Sequence, residues 1–157
     1  MNQQNRIIIL VATAGLVLIL TQYLRAPSTD QVVVKIGEED WRLQLARTPD
    51  AWARGLSGQH LCANCGMLFD FGQEQPNLGF WMKDMLIDLD MLWLNAAGEE
   101  VARAEQVPKP ECIDVARCKP ARRTTDRAAR YVIELPAGTL ATLKGNPLSV
   151  TLGSKGP

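Results

Sequence analysis

MLIDLDMLWL, residues 85–94, is the stretch on which the fold turns. Read at a period of two, Met85, Ile87, Leu89, Met91 and Trp93 fall on one side. Leu86, Asp88, Asp90 and Leu92 fall on the other. The pattern predicts a strand from Leu86 to Leu94 with two carboxylates on a shared face. Downstream, Asn95-Ala96-Ala97-Gly98 closes a turn into a strand from about Glu100 to Val107. Upstream, strands are expected at Gly79-Phe80-Trp81-Met82-Lys83 and Gly66-Met67-Leu68-Phe69-Asp70-Phe71, with Gly72, Pro76 and Asn77 as turn residues between them. In the second of these blocks Phe80 and Met82 should face the core and Trp81 and Lys83 the other side.

The same reading extends to both ends of the domain. Val32-Val33-Val34-Lys35-Ile36 is a β-branched strand, and the turn chemistry of Gly37-Glu38-Glu39-Asp40 leads to alternating Trp41, Leu43 and Leu45, so a hairpin with one buried face is expected. Thr48 as cap, Pro49 at the first position and Asp50 against the dipole predict a short helix to about Leu56, ended by Gly55 and Gly58. Pro108 to about Arg130 has no periodicity and reads as a long irregular surface segment. Tyr131–Leu135 is a strand, Thr139–Leu143 a short helix ended by Gly145, and Leu148–Leu152 the last strand. Seven or eight strands with two short helices give a mainly β fold class, a compact sandwich or barrel.

The N-terminus has a different character. Residues Ile7 to Leu20 carry no charge and consist mostly of Ile, Leu and Val, each favourable by roughly 0.3–0.6 kcal/mol at the centre of a membrane-inserted helix. Extended to Leu24 between Arg6 and Arg25, the run approaches the ~30 Å hydrocarbon thickness. Residues 1–25 are therefore expected to be a signal anchor or transmembrane helix, 26–31 a polar linker and 32–157 one exported β-rich domain. A cleaved secretory signal is the alternative, but Pro27 and Arg25 crowd the candidate cleavage sites. The partner so implied is the membrane itself. The location is a bacterial inner membrane, crossed once, with the domain facing the periplasm or the cell exterior.

Of the 157 residues, 46% are hydrophobic and 22% charged, and Lys+Arg and Asp+Glu each total 17, so no net field draws the chain to nucleic acid. The four cysteines are an even set, which in an oxidising compartment favours disulfides. Cys62-Ala63-Asn64-Cys65 has the spacing of a thioredoxin-like redox pair, but it follows a helix and leads into a strand, where no helix N-terminus activates a thiol. With Cys112 and Cys118 the set is also compatible with zinc, although the second spacing is wide. Two structural disulfides are the favoured reading, Cys62–Cys65 and Cys112–Cys118 being preferred among three connectivities, with no metal and no cofactor.

Three segments, Arg54-Gly55-Leu56-Ser57-Gly58, Gly66 to Phe71 and Phe80-Trp81-Met82-Lys83-Asp84-Met85-Leu86-Ile87-Asp88-Leu89-Asp90, closely resemble the bacterial and archaeal domain-of-unknown-function family numbered 192. The similarity continues through Tyr131-Val132-Ile133-Glu134-Leu135-Pro136-Ala137-Gly138-Thr139, so it covers nearly all of the exported domain. The chain has Asp84 where that family usually has Asn, and Asp88 where it usually has Pro. The resemblance implies a compact, jelly-roll-like, mainly β domain, often exported, with no established general activity.

Candidate functional residues are few. Asp88 and Asp90, spaced as same-face neighbours, are the only candidates for a catalytic carboxylate pair, and strand neighbours of this kind also commonly serve backbone bonding alone. Arg54 is a candidate for ligand contact or for an ion pair with one of these aspartates. Trp81 and Lys83 are candidates for a binding surface for a sugar or peptide. His60 is the only histidine, so a serine or cysteine nucleophile would have to use it as base, and its place in a loop crowded with small residues argues against a triad. Arg117, Lys119, Arg122, Arg123, Arg127 and Arg130, opposed by Asp126, form a basic stretch suited to anionic headgroups or envelope polymers, or to a solvated loop. The leading expectation is a non-enzymatic, membrane-tethered binding or accessory module whose partner is an envelope polymer or protein. The alternatives are a hydrolase of an envelope saccharide or polymer acting through the aspartate pair, and a structural component of a membrane complex.

Overall fold

A computed structural model of the chain describes residues 30–111 and 121–143 and the backbone of 151–152. The expected anchor, the linker up to residue 29, Cys112 and Cys118, and most of the basic stretch before Ala121 lie outside the described residues. Among those described, no helix is long and apolar enough to cross a membrane.

β1 (Gln31–Ile36) and β2 (Glu39–Ala46) form the expected hairpin, paired antiparallel from Ile36↔Glu39 to Gln31↔Gln44. Alternate residues of β1 are buried, as a one-sided strand requires. The chain then runs through α1 (Pro49–Arg54) into β3 (Cys65–Gln75), which lies parallel to β2. A parallel partner cannot be reached by a tight turn, and the crossover carries α1 across one face of the sheet. Thr48 caps α1 by accepting the Ala51 N–H at 3.3 Å, and Gly55 ends the helix at φ 51°, ψ −140°, a conformation costly for any residue with a Cβ.

β4 (Gly79–Trp81), β5 (Leu89–Leu94), β6 (Glu100–Val107), β7 (Arg122–Thr124), β8 (Ala129–Pro136), α2 (Thr139–Thr142) and β9 (Thr151–Leu152) follow. The described strands form a seven-stranded sheet in the order β6-β5-β8-β3-β2-β1-β9 and a separate ribbon of β4 and β7. The domain is mainly β with two short helices, as expected. The parallel β2–β3 pair is a departure from an all-antiparallel jelly roll. Two further corrections concern extent. The strand predicted from Leu86 begins at Leu89, because the chain bends at residues 86–87. The segment from Pro108 to Arg130 is not irregular throughout: Arg122–Thr124 pairs antiparallel with Gly79–Trp81.

Both faces of the central strands are covered, and all six residues of β5 are buried. One face packs Val34, Ile36, Leu43, Leu92, Ile133 and Leu140. The opposite face packs Met67, Phe69, Met91, Trp93 and Val132 beneath Leu56, Met82 and Met85, which come from the α1 crossover and the β4–β5 connection. At about 25 cal/mol per Å² of apolar area removed from water, these two layers are the main stabilising term of the domain. Gly66 has no room for a side chain: a Cβ there would lie 2.3 Å from the Glu134 carbonyl oxygen, with Leu43 and Leu135 each 3.1 Å away.

Candidate functional site

Glu134 stands on β8, the strand between β3 and β5, with Met67 and Met91 as its register partners. Its neighbours Ile133 and Leu135 turn to the first face, so Glu134 turns to the second, beneath α1 and the β4–β5 connection. It is 3% exposed, and its Oε2 has no hydrogen-bond partner among the described residues. Burial pushes its carboxyl up to about 8, so at neutral pH it is chiefly the protonated acid, with one O–H to donate and oxygens to accept.

The carboxyl lines a narrow cleft together with Phe69, Phe80, Trp81, Met85 and the segment Arg54–Ser57. The cleft's free volume of about 20 Å³ is room for about one water molecule. Its walls are fixed by packing: Phe80 meets Phe69 edge-on at 4.8 Å between centroids and Trp93 at 6.1 Å. Two loops form the roof and are tied together, Ser57 Oγ donating to the Lys83 carbonyl at 2.9 Å and Gly58 N–H to the Asp84 carbonyl at 2.9 Å. Asp84 is held at φ 55°.

The rim is cationic. Trp81 is 43% exposed, with the Lys83 ammonium 5.5 Å and the Arg122 guanidinium 5.2 Å from its ring centroid. Arg54 lines the cleft from the C-terminal end of α1, with an exposed side chain. Asp84 lies 4.0 Å from Lys83 and is the acidic group nearest these cations in the same loop. A larger cleft of about 460 Å³ lies on the other side of Arg54 and Gly55. Its polar lining is internally engaged: Gln44 donates to Gln59 at 2.7 Å, Gln59 to the Gly55 carbonyl at 3.1 Å, and Arg47 lies 3.4 Å from Asp70. Size favours that cleft as a ligand site, but an unpartnered buried acid favours the smaller one, because an unmet buried polar group costs far more than an unfilled surface groove.

The structure thus places Arg54 and Trp81 in the lining of one cleft, sets Lys83 against the Trp81 ring, and leaves the aspartates elsewhere. Asp90 is buried on the opposite face, where Oδ1 accepts the Gln106 N–H and Oδ2 the Leu140 N–H, both at 2.8 Å. It thereby fastens the end of β6 and the first turn of α2 to β5. Asp88 is exposed ahead of the strand and accepts the Lys109 N–H at 2.9 Å. The predicted shared strand face is therefore not formed, and neither aspartate takes Arg54 as an ion-pair partner. The described part of the basic stretch is dispersed as well: Arg122 stacks on Trp81, while Arg130 lies 3.1 Å from Asp70 and over Tyr131.

Cys62 and Cys65 are bonded, with Cα atoms 5.3 Å apart, and pin the approach to β3. No cluster of three or more His, Cys, Asp or Glu suited to a metal occurs among the described residues. The residue that sequence reasoning missed is Glu134. Its signal was present in Tyr131-Val132-Ile133-Glu134-Leu135, where apolar residues occupy both parities of the strand.

No curated protein matches the chain. Among solved structures, a protein of Sinorhizobium meliloti 1021 described as a candidate transcription regulator is 28% identical. It superposes with a TM-score of 0.69 over 81% of this chain and 97% of its own. A protein of unknown function from Novosphingobium aromaticivorans DSM 12444 shares the fold at 22% identity, with a TM-score of 0.64 over 80% of this chain and 89% of its own. A family model matches residues 32–147, which takes in β2 to β8, both helices and every residue of the cleft, and the chain belongs to that family, DUF192, described as "Uncharacterized ACR".

Proposed function

We propose that the protein is a membrane-tethered binding module of the bacterial envelope, with the Glu134 cleft as its ligand site and an anchor at residues 7–24 holding the domain on the periplasmic or outer side. The observation that carries this reading is the unpartnered Oε2 of a 3%-exposed carboxyl at the buried end of an aromatic cleft. A buried carboxyl oxygen with no partner destabilises the free protein, and a ligand that hydrogen-bonds to it recovers that cost on binding. Binding is favoured over hydrolysis because the lining holds one carboxyl only; acid/base cleavage of a saccharide needs a second, and the other polar groups among the lining side chains are those of Arg54, Ser57 and the indole N–H groups of Trp52 and Trp81.

The test uses the full chain in a detergent without a sugar headgroup, titrated with glycerol, acetamide and methylamine as hydroxyl, amide and cationic probes. Tryptophan fluorescence and amide chemical shifts near Glu134 are the readouts. At least one probe should perturb the wild type and leave Glu134→Leu unchanged. Equal responses in the two proteins, or none in the wild type, overturn the reading. Tethering is tested separately: the protein should stay with membranes in alkaline carbonate and be cut by protease added to spheroplasts. Release by carbonate, or protection of the domain, refutes the anchor or its orientation.

A further inference from the structure

Glu134, the aromatic walls and the rim cations together restrict what can occupy the cleft. The available space admits a group the size of a water molecule beside the carboxyl, so a ring or a branched group must remain outside. A hydroxyl is that size and can both accept the Glu134 proton and donate to the carboxyl oxygen. An ether or ester oxygen only accepts and would leave one side of the acid unmet. An ammonium would suit an ionised carboxylate, but Arg54 lines the cleft and Lys83 and Arg122 lie over the ring of Trp81, another lining residue, against one nearby carboxylate, Asp84, and these cations repel it. The body of the ligand must meet the exposed part of Trp81 and the apolar lining of Phe80 and Met85, which suit the C–H face of a ring.

We propose that the occupant is an anionic saccharide, a sugar acid or sugar phosphate, which inserts one hydroxyl against Glu134, lies along Trp81 and sets its charge on the Arg54, Lys83 and Arg122 rim. This rests on the reading of the Glu134 cleft as the ligand site. It adds the sign, size and ring character of the ligand. The rim charges are solvent-exposed, so their contribution falls as salt rises while the hydroxyl contact persists.

The experiment compares four probes on the full chain in the same sugar-free detergent. Glucuronate has ring, hydroxyls and negative charge; glucose lacks the charge; glucosamine reverses it; glycerol 3-phosphate lacks the ring. Glucuronate should bind at least ten-fold more tightly than glucose at low salt, glucosamine more weakly than glucose, and glycerol 3-phosphate at least five-fold more weakly than glucuronate. Lys83→Ala with Arg122→Ala should bring the ratio of glucuronate to glucose affinity down to about one. Glu134→Leu, shown by urea denaturation to remain folded, should lose all four. Equal binding of glucose and glucuronate, or tighter glucosamine, overturns the assignment of charge, and equal binding of glycerol 3-phosphate overturns the ring. If none of the four binds while glycerol, acetamide or methylamine still reports on Glu134, the saccharide inference fails and the binding site stands. If no probe of either set distinguishes wild type from Glu134→Leu, both fail.

Discussion

Replacing Glu134 by Gln tests the central physical claim, that this carboxyl is a buried acid whose Oε2 has no partner among the described residues. Its ordinary value of 4.5 is raised to about 8 by burial in the folded protein. Between those values the unfolded chain releases a proton that the folded chain keeps, so the folded state binds more protons and stability falls as pH rises. The stability associated with the shift is fully present below pH 4.5 and lost by about pH 8. At about 1.4 kcal/mol per pH unit, the loss is about 3 kcal/mol at pH 7 and about 5 kcal/mol when complete, a large share of the 5–15 kcal/mol typical of a domain. Gln fills the same space and does not ionise. It adds an unmet amide, which shifts stability by a constant and leaves the pH slope free of that group. The assay is urea denaturation of the full chain between about pH 5 and pH 8.5. It is followed by tryptophan fluorescence, since all four tryptophans, Trp41, Trp52, Trp81 and Trp93, lie in the β domain. Asp70 does not interfere in this window: burial alone would raise it, but hydrogen bonds from Arg130 and the Gly72 N–H, with the charges of Arg130 and Arg47, hold it below its ordinary 3.8. The wild type should lose stability relative to Glu134→Gln by roughly 1 kcal/mol per pH unit or more through neutrality. Parallel curves would refute both the burial of an ionisable group and the neutral acid on which the cleft's chemistry depends.

Three further outcomes follow from the packing. Asp90→Asn should cost about 2–3 kcal/mol in urea denaturation, because the amide nitrogen cannot accept one of the two backbone N–H groups that the carboxylate holds, whereas exposed Asp88→Asn should cost under about 1 kcal/mol. Gly66→Ala should lower stability by about 3 kcal/mol or more, visible as a reduced urea midpoint or loss of folded protein, since its Cβ would meet the backbone oxygen of Glu134 at 2.3 Å. Cys62→Ser with Cys65→Ser should cost about 2 kcal/mol by loop-closure entropy, and non-reducing peptide mapping of the wild type should recover Cys62 joined to Cys65.

Local rules made much of the fold legible. The β1–β2 hairpin followed from alternation around Gly37, and α1 from Thr48, Pro49 and Asp50, because both are set by neighbours in sequence. The strand Glu100–Val107 forms with the bounds read from its turn and breaker residues. What stayed hidden depends on distant partners. Arg122–Thr124 is a strand without an apolar residue, exposed along its length, and pairs only because Gly79–Trp81 is brought beside it. The parallel β2–β3 register is likewise a property of the whole sheet. MLIDLDMLWL suggested two carboxylates on one face, but the strand proper starts at Leu89, and Asp88 is positioned by one backbone N–H and Asp90 by two that no local pattern announces.

Glu134 is the instructive failure, because its burial was implied by residues already in view. A glutamate in a strand ordinarily marks the solvent face, but Tyr131, Ile133 and Leu135 occupy one parity of this strand and Val132 the other, the pattern of a strand covered on both sides. On such a strand the even position at 134 must be buried too, and a carboxyl there must find a partner or remain the neutral acid. The sheet itself does not need it: Met67 and Met91, its register partners, show that a flexible apolar side chain fits that layer, and one at 134 would remove the pH-dependent loss. The fold therefore gains no stability from the acid, and its Oε2 serves no internal hydrogen bond among the described residues. A destabilising group held at the end of an aromatic cleft, under two loops tied by Ser57 and Gly58, is better accounted for by what enters the cleft than by the packing around it.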